Sequence, residues 1–201
     1  MKVSSTIMLA ALTAATIASN AYADDTGKWT WRAGAHVVQP RSDNHAVVNV
    51  DDASMMTFSG TYSWTPNWGI EVLAALPFTH DINLNGGGKV ADTKHLPPTA
   101  SLQYHFNPNG SVRPYIGAGL NYTVFFSEDT AGALSGSKLT LDPSFGPAAQ
   151  LGLDVALGST WFINADARWF DIDTDATLDG ASLGTVEIDP YAYGISLGRR
   201  F

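Results

Sequence analysis

From Trp29 onward, apolar and polar residues alternate with a period of two, the pattern of strands with one dry and one wet face. Trp29, Trp31, Ala33, Ala35 and Val37 share one parity, and Thr30, Arg32, Gly34 and His36 the other. Met56, Phe58, Gly60, Tyr62 and Trp64 likewise oppose Thr57, Ser59, Thr61 and Ser63. Trp68, Ile70, Val72, Ala74 and Leu76 oppose Gly69, Glu71, Leu73 and Ala75, and Leu96, Pro98, Ala100, Leu102, Tyr104 and Phe106 form the apolar parity of a fourth stretch. Further stretches near 113–126, 143–157, 160–170 and 186–201 bring the total to about eight.

A soluble β-sandwich also alternates, since it too has one wet face. Three features favour an all-β, eight-stranded antiparallel transmembrane β-barrel. Aromatics gather near the strand ends, with Trp29, Trp64, Trp68, Phe106 and Trp161 at one end and Phe78, Phe126, Trp169 and Tyr191 at the other, as interfacial girdles require. Connections alternate between tight turns (Thr65-Pro66-Asn67, Asn107 to Ser111, Gly158-Ser159) and long segments at 41–55, 79–94, 127–142 and 171–186. Short periplasmic turns and long extracellular loops have that rhythm. The chain ends on a strand closing with Phe201, like the signal by which the barrel-assembly machinery recognises its clients. Closure follows from solvation, because in lipid every strand N–H and C=O needs a partner and a ring has no edge.

The N-terminus adds the compartment. Lys2, the apolar run Ile7 to Ile17 and Ala21-Tyr22-Ala23 predict a signal peptide over 1–23, cleaved after Ala23, with one barrel domain over 24–201. The predicted location is the outer membrane of a Gram-negative bacterium, multi-pass, with membrane lipids as neighbours. Cleavage removes one of 11 basic residues and none of 19 acidic ones, so the charge moves from −8 to −9, which excludes nucleic acid as a natural partner. There is no cysteine, so no disulfide or thiolate chemistry is open.

Eight strands enclose a lumen about wide enough for side chains to fill, which disfavours a broad aqueous pore. Its inward positions divide in two. Arg32, Glu71, Gln103, His105, Arg113, Asp154 and Asp166, with Tyr115 and Asn164, lie toward the short-turn end or the middle and are expected to interlock as a polar plug. Val38, Leu73, Ala75, Pro97 and Phe170 lie nearer the long loops and form an apolar funnel. Pro97-Pro98 stands inside an otherwise clear strand; proline donates no ladder bond, so the pair marks either a ragged strand start or a gap in the wall.

Weaker motifs add little. Asp171, Asp173, Asp175 and Asp179 have calcium-loop spacing, but Ala176 replaces the turn glycine and Ser182 the bidentate glutamate, so no metal is expected. Gly86-Gly87-Gly88-Lys89 lacks the spacing of a phosphate loop. The five histidines show no metal-site spacing on a common strand face. No histidine has a serine two residues on, so neither an enzyme nor a cofactor is expected.

In Asn67 to Phe78, Lys94-His-Leu-Pro-Pro-Thr99, Arg113 to Phe126, Asp171-Ile-Asp-Thr174 and the ending at Phe201, the chain resembles the OmpW family of eight-stranded outer-membrane proteins. The resemblance implies passive diffusion of small hydrophobic molecules through an apolar lumen to a lateral opening in the wall. By position, Leu73 matches an apolar residue that narrows the family's lumen, and Pro97 and Pro98 match the prolines at the opening. Arg168 departs from the pattern, standing where some members carry a closing aromatic; a cation there would latch onto Glu71, Asp154 or Asp166, or meet a polar ligand group. Loop 41–55 matches nothing specific and is a candidate for ligand preference. The alternative is a structural or receptor barrel, for a bacteriocin or phage, with a plugged lumen.

Overall fold

A computed structural model describes residues 28–41 and 46–201, so the predicted signal peptide and its cleavage site lie outside the described residues. Eight antiparallel strands close into a ring: β1 (Trp29–Gln39), β3 (Ala53–Ser63), β4 (Trp68–Ala75), β7 (Thr99–His105), β8 (Val112–Thr130), β10 (Ser144–Ala156), β11 (Trp161–Phe170) and β14 (Tyr191–Arg200), which pairs back to β1 from Thr30↔Arg200 to Gln39↔Tyr191. Short turns join β3 to β4, β7 to β8 and β10 to β11.

The ring is inverted relative to a soluble protein. Outward positions carry Trp31, Val72, Leu151, Phe145 and Ile195, all exposed, the last two at 68%. Inward positions carry Arg32, Glu71, Gln103, Asp154 and Asn164, all buried. Hydrocarbon outside and charge inside is stable only where lipid replaces water around the wall. Bulky inward side chains fit because glycines face them. A Cβ on Gly152 would stand 2.4 Å from the Tyr115 ring, and one on Gly194 would stand 2.3 Å from the His36 ring.

The long loops expected from sequence are largely paired strand. β5 (Phe78–Leu84) and β6 (Lys89–Leu96) form a hairpin that continues β4 and β7 outward along the extended β8, and β2 (Val48–Val50) adds to its edge. β9 (Leu139–Leu141), β12 (Asp173–Leu178) and β13 (Ala181–Glu187) make a separate three-stranded sheet. Alternation continues through these stretches, but their charged and glycine residues read as loop. A contiguous apolar core occupies this outer half, with Val38, Met55, Leu73, Phe78, Phe125 and Phe170 among its members.

Phe78 corrects an expectation: it is not a girdle residue but a buried one, at 7% exposure. The β4–β7 ladder ends at Leu73↔Thr99 and pairing resumes at Phe78↔His95, so five steps on one strand oppose four on the other. That extra residue is a bulge at Leu76-Pro77, and it turns the parity of the strand inside out.

Candidate functional site

Two structures occupy the lumen and its wall. The first is a polar lattice below the apolar core. Glu71 on β4 and Arg168 on β11 stand four strands apart in the eight-stranded ring, on opposite walls, and their 2.7 Å ion pair crosses the lumen. Arg168 Nε also donates a short bond to Asp166. Gln103 Nε2 donates to Glu71 at 2.7 Å, and His105 Nε2 lies 3.2 Å from Gln103 Oε1. Three strands apart around the ring, Arg32 on β1 pairs with Asp154 on β10 at 3.1 Å; Arg32 also donates to Thr61 Oγ1 at 3.0 Å and reaches Glu71 at 3.6 Å. Asn164 ties Asp154 (2.9 Å) to the Tyr115 hydroxyl (3.1 Å). Each charge of this lattice therefore has an opposite charge and further hydrogen bonds, which is the condition for its stability away from water.

Of the residues expected in this plug, Arg32, Glu71, Gln103, His105, Asp154 and Asp166 come together. Arg113 stands apart, donating to Gly110 O at 3.4 Å and lying over the Phe162 ring at 5.1 Å. Arg168, a candidate for the ligand path whose charge was expected either to latch onto Glu71, Asp154 or Asp166 or to meet a polar ligand group, pairs with Glu71 and Asp166 in the lattice. His36 was missed: its Nε2 lies 3.0 Å from Asp166 Oδ1 and its Nδ1 2.9 Å from the Thr57 hydroxyl. A histidine at an inward parity position was visible in the chain, but its partner lies 130 residues away.

The second structure is a seam in the wall. Between Leu73↔Thr99 and Phe78↔His95, residues 74–77 and 96–98 form no ladder pairs with one another, although Ala74 and Ala75 stay paired to β3 and Leu96 to β8. Pro97 and Pro98 stand on one side and Pro77 on the other, so three N–H donors are chemically missing along it. Flanking contacts hold the edges. Pro98 O accepts from Tyr122 N at 3.0 Å and from Asn121 Nδ2 at 3.3 Å, and Leu76 N donates to Met56 O at 2.9 Å. Pro97-Pro98 is thus neither a ragged start nor an isolated break; it joins β6 to β7 along one edge of β8, which stays paired on both sides. Pro77 is the member that sequence reasoning passed over, although Leu76-Pro77 interrupts an alternating run.

Inside the seam sit Leu73, at 2% exposure, with Val38 and Phe170 (both 3%) in the same core cluster, while Ala75 is partly buried against it. Above it, His80 and His95 stack with ring centroids 5.0 Å apart, and Phe78 meets His95 edge-on at 4.1 Å. Burial lowers the pKa of both; His95 is pushed down to about 3, with His80 adding to the shift, and His80 Nδ1 lies 2.5 Å from Asp51 O. This pairing was invisible in spacing because it depends on the register of the β5–β6 hairpin.

At the outer rim, Asp189 rather than Asp175 or Asp179 gathers with Asp171 and Asp173, their oxygens within 4.8 Å of one another. Arg41 supplies a cation to the group, 3.1 Å from Asp189.

The OmpW family model matches residues 25–201. Outer membrane protein W of Vibrio cholerae is 39% identical, the match covering 96% of each chain. The dibenzothiophene metabolism operon protein PahQ of Pseudomonas aeruginosa is 28% identical over 92% of this chain and 93% of its own. The crystal structure of OprG from Pseudomonas aeruginosa superposes with a TM-score of 0.77 at 33% identity, covering 88% of this chain and 96% of that one. Inverted surface, closed eight-strand ring and these likenesses agree: the chain belongs to the OmpW family and is a β-barrel of the bacterial outer membrane.

Proposed function

We propose that the barrel takes up small hydrophobic molecules at its outer end and releases them sideways into the membrane, through the seam bounded by Leu73↔Thr99 and Phe78↔His95. The seam carries this reading. In hydrocarbon an unpaired N–H costs several kcal/mol, so an open stretch of wall is tolerable only where donors are absent, and three prolines remove them. The way straight down is blocked by the Glu71–Arg168 crossbar, while the apolar core around Leu73, Val38 and Phe170 abuts the seam from inside. A greasy solute entering between the outer strands meets hydrocarbon up to the opening and charge below it. Those apolar side chains are packed together, so passage requires them to part. No energy source is needed, since transfer into lipid is downhill for an apolar solute. A dibenzothiophene operon relative fits a hydrophobic cargo.

The test is uptake of radiolabelled naphthalene by bacteria with and without the protein, beside a variant carrying Pro77→Thr, Pro97→Thr and Pro98→Thr. Faster uptake that the variant loses severalfold, with the variant folded in the membrane, is expected. Equal uptake with and without the folded protein overturns the transport reading. The filled interior would then favour the second reading, a structural or receptor barrel.

A further inference from the structure

The chain is acidic overall, yet its short-turn mouth is basic. A cavity of about 290 Å³ opens there, lined by Lys28, Thr30, Ser63, Trp64, His105 and Arg200 among others, and among the described residues no acidic one lines it. Its volume corresponds to about ten water molecules. Arg200 reaches it from the inward parity of β14, its Nη1 anchored on Pro108 O at 2.8 Å. Arg113 stands at the same end of the barrel, on β8, three strands around the ring from β14.

The charge balance at this end is uneven. Asp154 is the acid nearest to both arginines in the interior, and Arg32 and Asn164 already occupy it. Neither Arg113 nor Arg200 forms an ion pair among the described residues. The Nε of each, and Nδ1 of His105, are buried without a hydrogen-bond partner, in side chains of which His105 is 5% and Arg113 7% exposed. Buried guanidinium donors left unmatched cost more than neutral ones, and a matching anion removes that cost. Hydroxyls of Thr30 and Ser63 complete a set of donors suited to an oxygen-rich anion, and Lys28 adds positive charge at the rim.

We infer that the periplasmic mouth of the barrel is a binding site for a small oxyanion, a phosphate or carboxylate carried by a periplasmic solute or by an inner-leaflet lipid headgroup. The site is separate from the hydrophobic route: the Glu71–Arg168 crossbar lies between them. Arg200 supplies the directional contact and Lys28 the outer charge, with Arg113 raising the local potential.

The full mature chain, ¹⁵N-labelled and refolded in an uncharged maltoside detergent, is titrated with inorganic phosphate and separately with succinate. The expected result is a saturable shift of the Arg200 Nε–H and of the His105 and Ser63 amides with at least one of the two anions. Arg200→Gln is expected to weaken binding roughly tenfold, and Lys28→Gln, at the half-buried rim of the cavity, by less. Heat-modifiable gel mobility confirms that each variant is folded. In phospholipid nanodiscs without added anion, ³¹P contacts to the same resonances would assign the ligand to a lipid headgroup; their absence, with saturation by free anion, assigns it to a solute. Linear, non-saturating shifts for both anions without ³¹P contacts, or saturation unchanged in folded Arg200→Gln and Lys28→Gln, overturn the proposal. Hydrophobic uptake through the seam is indifferent to either outcome.

Discussion

The two halves of this barrel solve the same problem, filling a narrow lumen, with opposite chemistry. Toward the short turns the interior is a lattice of ion pairs and amides: Arg32 with Asp154, Glu71 with Arg168, and Gln103 and Asn164 between them. Toward the outer end it is hydrocarbon, with Val38, Met55, Leu73, Phe78, Phe125 and Phe170 in one cluster. The difference lies in what each filling demands of the wall. Charged groups have few acceptable geometries, so the lattice needs a continuous, rigid ladder around it. Dispersion contacts are undirected and individually weak, so the apolar half tolerates a bulge, three prolines and an unpaired seam. Rigidity and a gap in the wall can therefore coexist in one ring, provided the boundary between them is sharp, and Glu71 and Leu73, two residues apart on β4, mark that boundary.

The largest effect is expected from breaking the lattice. Glu71→Ala leaves Arg168 with Asp166 alone and Arg32 with Asp154 alone as buried counter-charges, and should lower stability by about 3 kcal/mol. Replacing both crossbar partners, Glu71→Leu with Arg168→Met, should recover part of that loss, because both charges of the crossbar go together and Asp166 keeps its His36 contact. Urea unfolding in detergent, followed by gel mobility, measures both. If the double variant were as unstable as the single one, the lattice would be held by something other than charge matching. The same double variant removes the barrier between the halves, and planar-bilayer conductance should rise above that of the parent.

Next in size is a test of how tightly the lattice is fitted. Gly194→Ala places a methyl where the His36 ring now lies, 2.3 Å away, and the ring is held by Asp166 and Thr57. Overpacking of this kind costs about 2 kcal/mol. The imidazole resonances of His36 should shift with loss of the Asp166 bond, while Phe78 and Phe125 in the outer half stay in place. A shift in both halves would show that the boundary is not sharp.

Period-two alternation made the ring legible in advance, down to which face of β1, β3, β4 and β7 points inward, because a lipid-facing wall and a filled lumen enforce strict parity. Residue types also announced the two zones. Pairings across the lumen were not legible: Glu71 and Arg168 meet through closure of the ring, a property of the whole chain that no local spacing records. Arg113 failed to join the lattice because it sits one inward step beyond Tyr115, at the mouth, where Phe162 and the Gly110 carbonyl receive it. Phe78 was misplaced for a local reason. Parity was carried straight through Leu76-Pro77, and a single inserted residue reverses every side chain after it.

The smallest expected effect concerns the roof of the apolar half. His80 and His95 are stacked within the β5–β6 hairpin, and burial disfavours their charged forms. Asp51, Asp52 and Asp81 flank His80 and work the other way on it, whereas His95 faces His80, Phe78 and Phe125. The ordinary histidine value is 6.5, and His95 in the folded hairpin lies at about 3. A depressed value means that the opened hairpin binds the proton more readily than the folded one. His95 therefore stabilises the folded form fully above about pH 6.5, and that contribution falls as the pH drops toward 3. At about pH 5.5 the loss is on the order of 1.4 kcal/mol, or roughly tenfold in the opening equilibrium. Amide hydrogen exchange along β5 and β6, corrected for the intrinsic pH dependence, should accelerate by that factor between about pH 7.5 and 5.5. The β10–β11 ladder should show no such change. In His95→Phe, which keeps an aromatic ring between Phe78 and Phe125, the His95 share of the acceleration should vanish. If acid instead loosened β10 and β11 first, the lattice and not the roof would be the acid-sensitive half.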